Sequence, residues 1–460
     1  MVGVICLGPL AARGFESTYW VWHRSEPLSI AEGKALFAQG VRQVYWHSGE
    51  LRGEAGAWRE TQELAVPRPA WDLPVTVIPV LRLAPDDSPP LDAAAADLVG
   101  RALAHLAQLG AAPEVQLDFD CPDRRLAEYA AFLAKIRQTL APIRLSATAL
   151  AGWSRLPAFA QLQDSVDALF PMFYDLEPDA PGKLVPLTGA GLPGQIASWK
   201  DCRVPWYAGL PNFARLSVFE SDGRSRGHIR EWTWDDVSFN PALVLAGEPA
   251  PGLTVLRSET ATILAETPLT PDQTLACRLP DRLALAAAVV HAQNAGARGI
   301  AIFRLPGEGP QGGWSLAQMG TILQGRKVGE PHFICRLTAN GLELENDSAT
   351  DLPPRLSGPA DARDRGWQLE VEYGKGPTDV FREASAGEFA EVFGHKDPNG
   401  AVPRRVPIPM AERLTYWFSD LRAGESRRTG LLQVPAAFIG ELRWRIPGSP
   451  QNSDWQSFTL

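Results

Sequence analysis

From Ser17 to about Gly325 the chain alternates between two hydrophobic rhythms. Short runs rich in β-branched and aromatic residues read as strands: Ser17–Arg24, Val41–Gly49, Val75–Leu83, Glu114–Asp120, Ile143–Leu150, Val166–Asp175, Val204–Leu210 and Gly299–Leu305. Between them lie segments whose apolar positions return every three or four residues, the spacing of one helix face. Ile30–Gln39, Leu91–Gly110, Arg124–Leu140 and Arg282–Ala295 are the clearest of these, with a short helix in LPAFAQLQDS. Asp123 stands where an N-terminal cap belongs, Pro142 falls just past the end of the same helix, and Gly110 closes the helix before it. Eight strands with helical connections predict a (β/α)8 TIM barrel over residues 17–325. An open doubly wound sheet is the rival, but its glycine-rich phosphate turn after the first strand is missing here.

Three segments depart from this rhythm. Residues 212–280 separate the seventh and eighth strands, and LSVFESDGRSRGHIREWTW within them reads as a hairpin turning on SDGRSRG. Insertions of this kind sit in the loops at the C-terminal face of a barrel, where they wall a cleft. After Gly325, HFICRLTANGLELENDS, GWQLEVEYG, LTYWFSDLRAG and RTGLLQVPA alternate with Gly, Pro and Asp turns, which predicts a small all-β sandwich over 326–460. Residues 1–16 open with MVGVICLGPLAARG, apolar and ending in small residues but lacking a basic start. They read either as the remnant of a secretory signal, placing the protein in the periplasm or outside the cell, or as a buried N-terminal strand of a cytoplasmic protein.

Composition removes several classes of function. A net charge of -9 without a basic run leaves nothing to neutralise phosphates, so no nucleic-acid partner is expected. No apolar run reaches the ~18–20 residues of a transmembrane segment. Cys6, Cys121, Cys202, Cys277 and Cys335 are scattered and odd in number, which supports neither a zinc site nor a disulfide framework. The 15 Trp residues supply flat faces suited both to cores and to stacking under sugar rings.

In a barrel, chemistry gathers where the strands end. The strand ends here carry Trp22, His23, Tyr45, Trp46, His47, Glu50, Arg82, Asp118, Asp120, Thr148, Tyr174, Asp175, Tyr207, Asn212, Arg304 and Glu308, with Trp153 just beyond strand five. Residues two apart on a strand share a face, so Asp118 and Asp120 fall about 6–7 Å apart at Cα inside the mouth, with Leu117 and Phe119 facing the helices. Two carboxyl groups that close raise the pKa of one of them and hold a proton near neutrality. Glycosidases use such a pair. The alternative is an ion-pair network in which Arg82 or Arg304 neutralises both. Of Tyr174 and Asp175, one points inward and the other lies on the rim. The expected catalytic set is Asp118, Asp120, Tyr174 and Asp175. The expected carbohydrate contacts are Trp22, His23, Trp46, His47, Arg82, Trp153, Tyr207, Asn212, Arg304 and Glu308. Nucleophile elbow, phosphate loop and HExxH are all missing, and no cofactor is expected.

The ordered motifs EVQLDFDCPDRRLAEYAAFLAKIR, LSATALAGW, PMFYD and GARGIAIFRLPGE resemble the bacterial family named domain of unknown function 3142. That resemblance implies the fold and no settled activity. DFDCP and MFYD are also similar, more distantly, to the D-x-D-x-E and M-x-Y-D strand ends of family 18 glycoside hydrolases such as chitinases. Asp118, Asp120, Met172, Tyr174 and Asp175 match those motifs, whereas Pro122 occupies the position of the catalytic Glu. Proline has no proton to give. Two readings follow: a glycoside hydrolase with a relocated acid, Asp120 donating the proton and Asp118 tuning it, or a glycan-binding, envelope-associated protein on a degenerate glycosidase barrel. A third, a hydrolase with a metal at His23, His47 and Asp120, rests on residue types alone.

Overall fold

The computed structural model describes residues 14–54, 56–67, 75–85, 89–180, 182–307, 313–356, 365–373, 381–396, 404–432, 434 and 441–458. Eight strands, β1 (Glu16–Val21), β2 (Gln43–Glu54), β3 (Thr76–Pro85), β4 (Glu114–Asp118), β5 (Arg144–Leu150), β6 (Ala168–Met172), β7 (Tyr207–Pro211) and β8 (Gly299–Phe303), each pair in parallel with the next. β8 pairs with β1, and the sheet closes into a barrel. Helices α1 (Ile30–Ala38), α2 (Ala93–Gly110), α3 (Leu126–Leu140), α4 (Phe159–Asp164), α5 (Leu192–Ala197), α6 (Arg282–Asn294) and α7 (Leu316–Leu323) follow individual strands. After β2 the described chain instead makes an antiparallel hairpin with Ala57–Glu60. The reading of residues 1–16 as a signal remnant falls largely on residues 1–13, outside the described residues, and Glu16 already opens β1.

Alternation along each strand sorts the side chains. On β1, Tyr19 and Val21 join the large core between sheet and helices, while Trp20 and Trp22 point into the barrel with Tyr45, Ile78, Val80, Phe170, Tyr207 and Ala301. The interior is filled, as the fold requires. Trp20 reaches far enough across that a Cβ on Gly209 would lie 3.0 Å from its ring and 2.9 Å from the Pro171 carbonyl. Only a residue without a side chain leaves that space. β2 carries a bulge between His47 and Gly49. Tyr45 and His47 point inward before it, Glu50 and Arg52 after it, so the strand keeps its outward residues Trp46 and Leu51 in the helix-facing core on both sides.

The insertion is a folded unit, larger than the hairpin read from sequence. Its antiparallel sheet runs Ser225–Ile229, Arg215–Phe219, Thr274–Arg278, Leu253–Ser258, Leu243–Leu245. Trp232, Trp234, Leu216, Leu256 and Leu275 form its own core. Beyond it, Phe333–Thr338, Gly341–Asn346 and Ser426–Arg428 make one antiparallel sheet, and a six-stranded sheet is built around Trp367–Tyr373 and Arg413–Phe418. Cys335 and Leu344 of the first share a core with Val371, Tyr416 and Trp444 of the second, as two stacked sheets do. Of the described residues of RTGLLQVPA, Arg428 ends a strand, and Gly430 N–H donates to the Ser385 carbonyl. Among the described residues no helix is long and apolar enough to cross a membrane.

Candidate functional site

A cavity of about 530 Å³ opens at the C-terminal end of the barrel. Inward alternation brings Trp20 from β1 and Trp22 just past it, Arg82, Asp118, Thr148, Met172, Tyr174 and Phe303 to its wall, with Asp120, Asp123, Asp175 and Gln195 around the rim. Leu117 and Phe119 point the other way, into the helix-facing core. Arg82 and Asp118 stand opposite each other in the β3–β4 register, and Glu50 stands opposite Arg82 in β2–β3. A carboxylate, a guanidinium and a carboxyl group therefore line up across three neighbouring strands.

Asp118 is half-buried. Thr148 Oγ1 accepts from the Phe119 N–H at 3.2 Å and donates to Asp118 Oδ1 at 2.7 Å. With one hydroxyl proton to give, Thr148 fixes Oδ1 as the acceptor, so a proton held by Asp118 sits on Oδ2. Burial raises the Asp118 carboxyl to about 6, and the neighbouring Asp120 adds to the rise. The Thr148 hydrogen bond and Arg82 act against it. Asp120, exposed at the mouth, is also raised by desolvation and held back by Arg82. Of the two, Asp118 lies deeper, and its carboxyl is the one raised to about 6.

Tyr174 points inward and stacks on Phe303 at 5.7 Å, with Trp22 edge-on to the same ring. Its phenol is pushed well above the usual tyrosine range by burial and by Asp118, Asp120 and Asp175, so it is a neutral donor at the wall. Asp175 takes the rim, where Arg215 of the insertion grips both its carboxylate oxygens at 2.7 Å. His23 and Asp175 hold left-handed backbone angles, φ 55° and 52°. Strain of that kind in side chains other than glycine gathers at functional sites. His47 lies tilted against Trp22 with ring centres 4.5 Å apart, and burial, followed by Arg304, depresses the His23 imidazole.

Several expected contacts are elsewhere. Trp46 and Trp153 are buried in the helix-facing core, Trp153 against the edge of Tyr129, because each falls on the outward phase of its segment. Tyr207 opens β7 rather than ending it, so its hydroxyl bonds Glu16 at 2.6 Å near the N-terminal end of the barrel. Asn212 is fully buried and structural: Nδ2 donates to the carbonyls of Arg304 and Trp314, and Oδ1 accepts from the Trp314 N–H. Asn212→Ala is expected to cost about 2–4 kcal/mol, three hydrogen bonds at roughly 1 kcal/mol each, measured by chemical denaturation. An unchanged denaturation midpoint would remove it from this role. Glu308 lies outside the described residues. Among the described residues no three His, Cys, Asp or Glu side chains converge as a metal set, and His23, His47 and Asp120 do not form one. Sequence reasoning named Thr148 and Glu50 as strand-end residues without giving either a role. The signal for Thr148 was its inward phase opposite the acidic strand end.

Comparison of the architecture with solved structures finds similar barrels at low identity. The C-terminal domain of a putative chitinase from Desulfitobacterium hafniense is 14% identical, with 68% of this chain and 98% of that chain covered at a TM-score of 0.43. The spore cortex-lytic enzyme SleL of Bacillus cereus is 12% identical, covering 68% and 75% at 0.43. A family GH18 chitinase of Chromobacterium violaceum is 10% identical, covering 96% and 91% at 0.42. No curated protein matches in sequence. The family whose sequence pattern the chain does match, over residues 76–226 from β3 into the first hairpin of the insertion, is the Domain of unknown function (DUF3142).

Proposed function

We propose that the chain is a glycoside hydrolase acting on an oligo- or polysaccharide, with Asp118 as general acid and Asp120 as its partner carboxylate. The observation that carries this reading is the Asp118 carboxyl: raised to about 6, oriented by Thr148, and facing a cleft with Asp120 beside it. A buried acid with a pKa near the working pH, next to a more open carboxylate, is the arrangement that protonates a glycosidic oxygen while the second group meets the positive charge on the sugar. Asp118 Oδ2 gives its proton to the bridging oxygen. The C–O bond breaks, Asp120 stabilises the oxocarbenium-like centre, and a water molecule adds to that carbon and returns a proton to Asp118. Tyr174, Phe303 and Trp22 offer the flat faces on which a sugar ring packs. Met172 also lines the cleft.

The test is release of new reducing ends from a panel of glycans as a function of pH. Because the acid form of Asp118 is needed, the rate should fall as pH rises through about 6. In Asp120→Asn the neighbouring charge that raises Asp118 is gone, so this falling limb should move to lower pH. A limb that stays in place would separate the two residues.

One observation favours a second reading, a glycan-binding protein without hydrolysis. Pro122 stands two residues after Asp120, where a third carboxylate would otherwise project, and the following Asp123 begins a 3-10 turn at the rim. Binding of glycans with no new reducing ends at any pH supports that reading over the first.

A further inference from the structure

Asp118 and Asp120 share their wall with a cation whose place is built by three neighbouring strands. Arg82 on β3 stands opposite Asp118 on β4, and on its other side opposite Glu50 on β2. The bulge between His47 and Gly49 brings Glu50 to that position, because it advances the register of β2 by one residue. Arg82 lines the carboxylate cleft and also a side pocket of about 380 Å³, which it shares with Trp22, His47, Glu50 and Arg52. Glu50 Oε1 accepts from Arg52 at 3.2 Å, and Arg52 has further contacts besides. Glu50 Oε2 lies 3.7 Å from Arg82 Nε, beyond hydrogen-bond length, so charge alone joins that pair. Glu50, Asp118 and Asp120 thus all bear on one guanidinium.

The other charges around the cleft have their own partners or positions. Arg215 grips both oxygens of Asp175, and Asp123 stands exposed at the mouth. Burial, then Arg304, Arg82 and Arg230, depress His23, and burial, then Arg82 and His23, depress His47 against Glu50. Thr148 and the neutral Tyr174 complete the surroundings of the two carboxyls. On Asp118, burial acts most, Asp120 and Glu50 add to the rise, and Arg82 opposes it. On Asp120, burial raises the carboxyl and Arg82 opposes. The two groups are unequal before this cation, since Asp120 is exposed and Asp118 lies deeper. A cation facing both favours ionising the more open one, and the resulting charge holds a proton on the other.

We propose that Arg82 is the positioning residue that keeps Asp120 and Asp118 in different charge states, and that Glu50 sets how much of its charge reaches them. The inference rests on the glycoside-hydrolase reading and supplies the residue that separates its acid from its partner carboxylate. Two substitutions then act in opposite directions. Without the guanidinium, both carboxyls keep their protons to higher pH. Without the Glu50 charge, Arg82 acts on the cleft undivided and Asp118 loses a repelling neighbour, so its proton leaves at lower pH. Glu50→Gln keeps an amide oxygen for Arg52, which leaves that side chain in place.

The experiment uses the full chain, isotope-labelled at the aspartate side-chain carboxyl carbon and followed by nuclear magnetic resonance. The Asp118 signal is the one missing from Asp118→Asn, and its midpoint is measured in the unsubstituted protein, Arg82→Met, Arg82→Lys and Glu50→Gln. In Arg82→Met the midpoint should rise by about 0.5 in pH or more, half the smallest shift a contacting arginine produces, because Arg82 is partly exposed. Arg82→Lys should return it toward its original place, and Glu50→Gln should lower it. The falling limb of the cleavage rate should follow the same directions, a response that mere damage to the fold does not give. Circular dichroism checks that each variant is folded, and Glu50→Gln carries the test alone where Arg82→Met is not. A midpoint that stays in place in either folded variant, two midpoints that move the same way, or an Arg82→Lys protein that behaves like Arg82→Met overturns the proposal. Failure of the parent reading is distinct: midpoints that move as stated in a protein that releases no reducing ends keep the role of Arg82 and remove hydrolysis. Cleavage whose Asp118 midpoint ignores both substitutions does the reverse.

Discussion

Asp118→Asn should lower glycan cleavage by about 10²–10⁴-fold, the contribution of one general acid, and at the same time make the protein more stable above pH 6. The two effects have one origin. The folded-state carboxyl titrates near 6 against an ordinary value of 3.8, so ionisation is disfavoured inside the site. Between those values the folded protein holds more protons than the unfolded chain, and stability falls as pH rises through that window. Above it the ionised group costs about 1–3 kcal/mol, the lower figures allowing for its partial exposure. Asparagine removes the charge and keeps an oxygen for Thr148. The melting temperature of the variant should therefore exceed that of the unsubstituted protein at pH 7.5, with the gain fading below about pH 4. Loss of activity accompanied by loss of stability at pH 7.5 would falsify this account, since it would mean that the substitution merely damages the fold.

Arg278→Ala should loosen the insertion by about 2–4 kcal/mol. This side chain is only 3% exposed, and each of its three guanidinium nitrogens donates a hydrogen bond: Nε to the Val185 carbonyl at 2.7 Å, Nη1 to Ser217 Oγ at 2.8 Å and Nη2 to Asp179 Oδ1 at 2.6 Å. Val185 and Asp179 belong to the loop after β6, whereas Ser217 and Arg278 belong to the insertion sheet, so one guanidinium fastens the insertion to the barrel. Removing it strands a carboxylate and a carbonyl, and breaking one side of a buried pair costs far more than the intact pair contributes. Asp179 keeps some contact with water, which places the estimate toward the lower end. In a chain with several cores, unfolding need not be a single transition. Urea titration followed by tryptophan emission, to which Trp232 and Trp234 of the insertion contribute, should show an early step that the unsubstituted protein lacks. A single unshifted transition would show that the insertion is held by other contacts, such as those of Asp235 with Arg427 and Ser419 in the sandwich.

The barrel was legible because strands buried on both faces and helices buried on one leave different rhythms. Asp118 and Asp120 could be set on one face by counting in twos. Counting of that kind fails where the starting phase is unknown. Trp46 and Trp153 carry the same chemistry as Trp22, yet they lie on the outward phase, and nothing in an indole announces which side of a sheet it takes. Tyr207 was misplaced because β7 begins there, three residues later than its apolar run. Asn212 looked like a ligand contact because it follows a strand end, but a buried amide serves equally well to hold two loops together. That burial raises Asp118 to about 6 depends on depth, which spacing along one strand does not contain. The insertion was underestimated for a related reason. Two of its strands, Leu243–Leu245 and Thr262–Leu264, are only three residues long, too short for alternation to show, and Thr274–Arg278 is fixed by pairing with Arg215–Phe219 far back in the chain.

The bulge in β2 has a consequence for how such a protein can change. On either side of it the outward residues, Trp46 and Leu51, stay in the same core, while the inward residues switch from His47 to Glu50 and Arg52. A single added or lost residue at Ser48 would therefore rotate one end of the strand relative to the other. Substitutions beyond the bulge alter the chemistry of the side pocket without disturbing the packing beneath it. The side pocket can thus change its polar lining while the carboxylate cleft, apart from the shared Trp22 and Arg82, keeps its own.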